Sequence, residues 1–192
     1  MPKVEILTRA EAGRLLKAAS TAAPTGIRNR AIMAVMYRGG LRVSEALDLK
    51  PSDLDPIEGT VRILDGKGHK SRTVSLDDGA LAVVQRWIDR RHAMGIRRGP
   101  LFCTLDGGPM SRSYVGQMMK RYADRAGIDK RVHPHGLRHC NAAELAAEGV
   151  PINVIQVHLG HSSLSTTDIY LRHIAPADVI AMGRARTWNP EV

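Results

Sequence analysis

Residues 133–170 hold side chains that could grip a phosphodiester and attack it. The stretch reads H-P-H-G-L-R-H-C-N-A-A-E-L, then a Pro-opened apolar run, then H-L-G-H-S-S-L-S-T-T-D-I-Y. His135 and Arg138 are three residues apart, so on a helix opening near Gly136 they point to one side. His161 follows a helix stop at Gly160, and Tyr170 comes nine residues later. A guanidinium forks onto phosphate oxygens, an imidazole moves protons near neutral pH, and a phenol can carry a covalent phosphoryl group. A phenol of pKa about 10 is only about one part in a thousand ionised at neutral pH, so it needs a base or a cationic setting to react.

The elements that must position these groups can be read in chain order. Thr8 and Glu11 form a capping box ahead of Leu15, Leu16 and Ala19. Thr21 to Gly26 reads as a connection, and a second helix runs from about Ile27 to Arg38, with Ile27, Ala31, Val35 and Met36 near one face. Gly39-Gly40 ends it. The corner G-G-L-R-V-S-E-A-L follows, with Arg42 at the entrance to a short helix from Val43 to Leu47. Glu45 lies one turn on, able to brace Arg42 or a neighbour. Thr60 to Leu64 and Arg72 to Leu76 alternate like the two strands of a hairpin with Lys67 at its tip.

Asp78 to Met94 is a long helix, with Leu81, Val84, Trp87 and Ile88 on its buried face and Arg86, Arg90 and Arg91 on its basic one. Ser111 caps a helix to about Ala126 whose Tyr114, Met118 and Tyr122 form a core stripe. Helices follow at Gly136 to Glu148, Pro151 to Leu159, Thr166 to Leu171 and Ala177 to Gly183. The sum is a mainly α chain with a small antiparallel β-hairpin sheet, an α+β fold, organised as one domain over residues 1–192.

Composition bounds the partners. A formal net charge of +9 favours a polyanion, with nucleic acid the first candidate. The apolar fraction of 43% and charged fraction of 24% are those of an ordinary globular chain. Two distant cysteines, Cys103 and Cys140, make no disulfide framework, and no apolar run reaches the length of a membrane span. The opening residues carry no secretory signal, so a cytosolic protein is expected. The histidines around Cys140 lack C-x-x-C or H-E-x-x-H spacing, so no metal is expected. His139 reads as a buried structural residue, with His133 and His158 outside the site.

The corner G-L-R-V-S-E, the hairpin G-K-G-H-K-S-R, H-G-L-R-H and L-G-H-S-S-L-S-T-T-D-I-Y stand in that order along the chain. In this ordered set the chain resembles the tyrosine recombinases, the phage integrases and their chromosomal relatives. The resemblance implies their catalytic-domain fold and a metal-independent type IB reaction on double-stranded DNA, with no cofactor. Tyr170 would be the nucleophile that forms a 3′-phosphotyrosyl bond and releases a 5′-hydroxyl. Arg42 and Arg138 would clamp the non-bridging oxygens, and Lys67 would protonate the leaving oxygen. His135 would transfer a proton, His161 would hydrogen-bond the phosphate, and Glu45 would support Arg42 and His135.

Tyr37, Tyr114 and Tyr122 compete with Tyr170 but sit near core positions of amphipathic helices. The resemblance further implies a DNA-associated cytoplasmic protein of bacterial or phage origin, and self-association through the helix from Ala177 to Met182. The resemblance implies an N-terminal core-binding domain ahead of the catalytic one, and this chain is expected to lack it. Cys140-Asn141 replaces a small hydroxyl and aromatic pair, and is expected to pack under the site and tune stability. Two rival readings remain: a type IB topoisomerase, and a catalytically idle DNA-binding accessory protein derived from an integrase.

Overall fold

A computed structural model describes residues 6–64 and 71–160. The chain divides into two compact units, Met1–Asn141 and Ala142–Val192. The first is built around one helix. Helix α1 (Arg9–Lys17) opens on the expected capping box: the Glu11 N–H donates to Thr8 Oγ1 at 3.2 Å and the Thr8 N–H donates to Glu11 Oε2 at 2.7 Å. Lys130 closes over this start, donating to Glu11 at 2.8 Å and to the Ile6 carbonyl at 3.1 Å.

Helix α2 (Pro24–Arg38) begins three residues earlier than its apolar spacing suggested. Pro24 stands in the first turn, where its fixed φ suits a helix and its missing N–H costs nothing. The Ser20 hydroxyl accepts from the N–H groups of Ala22 and Ala23, delivering the chain to Pro24. The approach is tight enough to require Gly26: an added Cβ would lie 2.5 Å from the Ser20 carbonyl oxygen. From Gly26 to Tyr37 every residue except Arg30 is buried, so α2 is a central helix and not an amphipathic one.

Two polar residues enter that core together. Arg28 donates to Asn29 Oδ1, to the Cys103 carbonyl at 3.1 Å and to the Tyr114 hydroxyl at 2.6 Å. Asn29 donates onward to the Tyr122 hydroxyl at 3.1 Å. The expected core stripe of α5 (Arg112–Arg125), N-capped by Ser111, therefore carries its hydroxyls inward to named partners.

The expected hairpin is the larger part of a three-stranded antiparallel sheet, β1 (Leu54–Asp55), β2 (Thr60–Ile63) and β3 (Arg72–Ser75), in that order. Strand β1 has only two residues, too few to show alternation in the sequence. Val61 pairs with Val74 and Ile63 with Arg72, so one face of the sheet joins the core.

Helix α4 (Asp78–Ala93) packs along α2. Its indole at Trp87 is fully buried and donates to the Leu101 carbonyl at 2.8 Å. Arg91 corrects an expectation. It does not join Arg86 and Arg90 on the basic face but is completely buried. Positions 84, 87, 88 and 91 form one i, i+3, i+4, i+7 stripe, and Arg91 is the last member of it. Its guanidinium donates to the Arg98 carbonyl at 2.6 Å and to that of Pro100 at 3.3 Å, fastening the loop to the helix end.

Helix α3 (Val43–Asp48) and α6 (Pro134–Ala147) complete the frame. Cys103 and Cys140 are buried and unbridged. In the second unit Ala142, Ile155 and Leu159 form a small core backed by Leu145, Ala146 and Val150. Helix α7 (Ile152–Leu159) follows Pro151 and is closed by Gly160. Among the described residues no helix is long and apolar enough to cross a membrane. The helices expected at Thr166 to Leu171 and Ala177 to Gly183 lie outside the described residues.

The fully buried Trp87 generates a prediction. Trp87→Phe removes a buried hydrogen bond and leaves a void, and is expected to cost about 1–3 kcal/mol in urea unfolding followed by circular dichroism. A change below about 0.5 kcal/mol would contradict this packing.

Candidate active site

The turn between α2 and α3 sets the site. Gly39 caps α2, and Gly40 then takes φ +64°, a conformation that turns the chain and suits glycine. The turn exposes the Gly40 carbonyl to a side chain from α6. Arg138, fully buried, donates to it through Nη1 at 2.6 Å. One turn further along α6, Asn141 Nδ2 donates to the Arg38 carbonyl at 3.2 Å. Cys140 and Asn141, the pair that departs from the family's usual residues, are both buried. Two side chains of α6 thus bolt that helix to the residues that lead into Arg42.

Arg42 is the N-cap of α3 in extended conformation, and its side chain remains 39% exposed. It lacks a side-chain acceptor for the helix N–H groups, so Glu45 supplies the cap from within. Glu45 Oε2 accepts from the Arg42 N–H at 2.8 Å, and Oε1 from Arg42 Nη1 at 2.7 Å. The same carboxylate takes a second, forked guanidinium. Arg72, at the start of β3, donates Nη1 to Oε1 at 2.9 Å and Nη2 to Oε2 at 2.7 Å. Burial works to raise the Glu45 carboxyl and is outweighed by these bonds from Arg72 and Arg42, which hold it down to about 2.

His135 stands on the first turn of α6. Its ring meets that of His139 edge-on, with centroids 4.3 Å apart. Partial burial lowers its pKa, and the positive charges of Arg138, His133 and Arg42 lower it further. Both effects favour the neutral imidazole, which has one nitrogen to donate and one to accept. His133 is lowered by burial and then by Arg131. His139 is half-buried, not buried as expected. Among the described residues no group of three His, Cys, Asp or Glu side chains converges as metal ligands.

Four expected members therefore come together: Arg42 and Glu45 on one helix start, Arg138 beside them through Gly40, and His135 within reach of both arginine charges. Lys67, His161 and Tyr170 lie outside the described residues. Of the rival tyrosines, Tyr37 and Tyr122 are buried, and the Tyr114 and Tyr122 hydroxyls are engaged by Arg28 and Asn29. The reading of the sequence missed Arg72. Its signal was strand parity: Arg72 shares a face with buried Val74, and a charge on an inward face needs a partner.

A family model described as the phage integrase family matches residues 5–175. The chain is 40% identical over 178 residues to tyrosine recombinase XerD of Ralstonia nicotianae, covering 91% of this chain and 58% of that one. It is 38% identical over 167 residues to tyrosine recombinase XerC of Haemophilus ducreyi, covering 85% and 55%. Among solved structures, XerA recombinase superposes with a TM-score of 0.86 at 32% identity, over 98% of this chain and 66% of that one. XerH site-specific recombinase, in a post-cleavage complex with its palindromic difH substrate, superposes at 0.78 with 27% identity, over 95% and 53%. The chain spans somewhat over half the length of the curated relatives it matches.

The Glu45 carboxylate makes stability depend on pH. A carboxyl held low in the folded state binds fewer protons than in the unfolded chain. Its stabilisation is therefore complete above the ordinary value of 4.5 and is lost as pH falls through about 2. Glu45→Gln should be less stable than the parent by on the order of 3 kcal/mol at pH 6, with the gap narrowing as pH drops below 4.5. Urea unfolding of both proteins between pH 3 and pH 6 measures it, and a gap that does not change over that range would contradict the ion-pair geometry.

Proposed function

The chain belongs to the phage integrase family, and from that premise we propose that it is the catalytic part of a site-specific DNA recombinase. It cuts and rejoins one strand of duplex DNA at a time through a covalent tyrosine intermediate. The observation that carries this reading is the Arg138 to Gly40 hydrogen bond, which brings the α6 guanidinium to the corner that holds Arg42. Two guanidiniums, one of them 39% exposed, then stand near enough to His135 to favour its neutral form.

Each group has a chemical task in this reading. Arg42 and Arg138 fork onto the non-bridging oxygens of the scissile phosphate and stabilise the added charge of the pentavalent transition state. The Tyr170 oxygen attacks phosphorus, and its proton passes to His135. The bond from phosphorus to the 5′-oxygen breaks, and Lys67 gives that oxygen its proton, leaving a free 5′-hydroxyl and a 3′-phosphotyrosyl link. His161 donates to the phosphate, and Glu45 keeps Arg42 in register. The link retains the energy of the broken phosphodiester, so rejoining needs no nucleotide cofactor. The other candidates support Tyr170 as the nucleophile: Tyr37 and Tyr122 are buried, and the Tyr114 and Tyr122 hydroxyls are held by Arg28 and Asn29.

In this proposal residues 1–192 act as one catalytic domain on DNA in the cytoplasm, and a second copy on the same DNA is engaged through the segment from Ala177 to Met182.

Covalent trapping tests it. The protein is mixed with nicked duplexes carrying its candidate sites, in EDTA, and run in detergent. The expected result is a protein–DNA band that survives EDTA, disappears in Tyr170→Phe and falls by about 10²–10³ in Arg138→Ala. A band retained in Tyr170→Phe would overturn the nucleophile. Binding without any adduct, even with the upstream part of a relative fused in front, would favour the idle accessory protein. Relaxation of supercoils without exchange between two sites would favour the topoisomerase.

A further inference from the structure

We propose that Arg72 is a positioning residue of the site: through a forked ion pair with Glu45 it fixes the Arg42 guanidinium and ties it to the base of the β2–β3 hairpin. The inference rests on the recombinase reading above and assigns a task to a residue outside the set expected from sequence.

Glu45 accepts four hydrogen bonds, two from Arg42 and two from Arg72, so each oxygen is shared between the two arginines. A carboxylate offers about four lone-pair sites, and all are filled. Glu45 therefore cannot rotate without breaking a bond to one arginine or the other. The two arginines differ in exposure. The Arg72 side chain is 12% exposed and that of Arg42 39%. Arg72 is the inner strut, and Arg42 is the more exposed of the two.

Charge gives the arrangement a second consequence. One carboxylate between two guanidiniums leaves one net positive charge, enough to attract a phosphate while limiting repulsion between the arginines. It also keeps Glu45 ionised well below neutrality. Position gives a third. Arg72 pairs with Ile63 at the end of the ladder, where the two strands lead into residues 65–70 and Lys67. An ion pair at that end joins the hairpin base to α3 and so to Arg42.

Two measurements test this. The first is the titration of the Glu45 side-chain carboxyl, followed by carbon NMR in the intact chain, in the parent, in Arg72→Gln and in Arg72→Lys. The parent carboxyl should stay ionised down to about pH 2, whereas Arg72→Gln should move its midpoint toward the ordinary value of 4.5. Arg72→Lys, which keeps charge but not the fork, should fall between them. The second is single-turnover adduct formation from pH 4 to pH 8, in a double-mutant cycle with Glu45→Gln. Arg72→Gln alone should slow adduct formation by about tenfold or more and raise its acid limb, yet cost less than about threefold in the Glu45→Gln background.

Multiplicative losses in the cycle, with an unmoved acid limb, would overturn the inference and leave Arg72 a merely structural residue. A fall in melting temperature alone would do the same. If the parent forms no adduct even with the upstream part of a relative fused in front, the recombinase reading fails, and the carboxyl titration still decides whether Arg72 holds Glu45.

Discussion

A buried guanidinium donating to one backbone carbonyl holds this site in place. Arg138 reaches Gly40 at 2.6 Å, and the geometry around that bond explains much of the chain near it. The carbonyl points the right way because Gly40 adopts positive φ. That turn follows α2, which is immobilised by burial nearly all round. The carbonyl is also two residues from Arg42, so a helix distant in sequence is delivered to the corner that presents the first arginine. Burying a guanidinium is costly unless its donors are met, and a charge-assisted bond to a carbonyl contributes about 1.5–3 kcal/mol toward that. Asn141 adds a second tie one turn on, at the Arg38 carbonyl.

The electrostatics follow from the same packing. Arg42, Arg72 and Arg138 concentrate positive charge in a small region of a chain that already carries a formal charge of +9. Glu45 offsets part of it and remains ionised. His135 answers in the other direction: partial burial and the neighbouring cations favour its neutral form. A site with fixed cations and a neutral imidazole is preorganised for an anionic substrate that must also lose and gain a proton. Chemistry of this kind relies on alignment of donors, and the supporting contacts run from 2.6 to 3.2 Å and are buried or half-buried.

Much of this was legible in the sequence, for identifiable reasons. The capping box at Thr8, the Ser111 cap and the Gly39-Gly40 stop are local signals, and local signals survive folding. The corner and the H-G-L-R-H box named Arg42, Glu45, His135 and Arg138 as a set, and these do come together. What failed depended on tertiary context. The start of α2 at Pro24 rests on a turn made by Ser20, which apolar spacing cannot reveal. Arg91 was assigned to a solvent face by its charge, although its position in the stripe with Val84, Trp87 and Ile88 argued for the core. Arg72 was passed over as an ordinary strand residue because its partner lies 27 positions earlier. Strand β1 was too short to register at all.

The most direct test of the account replaces the charge that the arginines are meant to hold. Adduct formation is measured with a duplex whose scissile phosphate is a neutral methylphosphonate, for the parent and for Arg138→Ala, beside the ordinary phosphodiester. The account predicts that a loss of about a hundredfold or more on the charged linkage shrinks to under about tenfold on the neutral one, because the partner of the guanidinium has been removed. An equal loss on both linkages would contradict it, and would make Arg138 a strut between α6 and Gly40 with no part in holding phosphate.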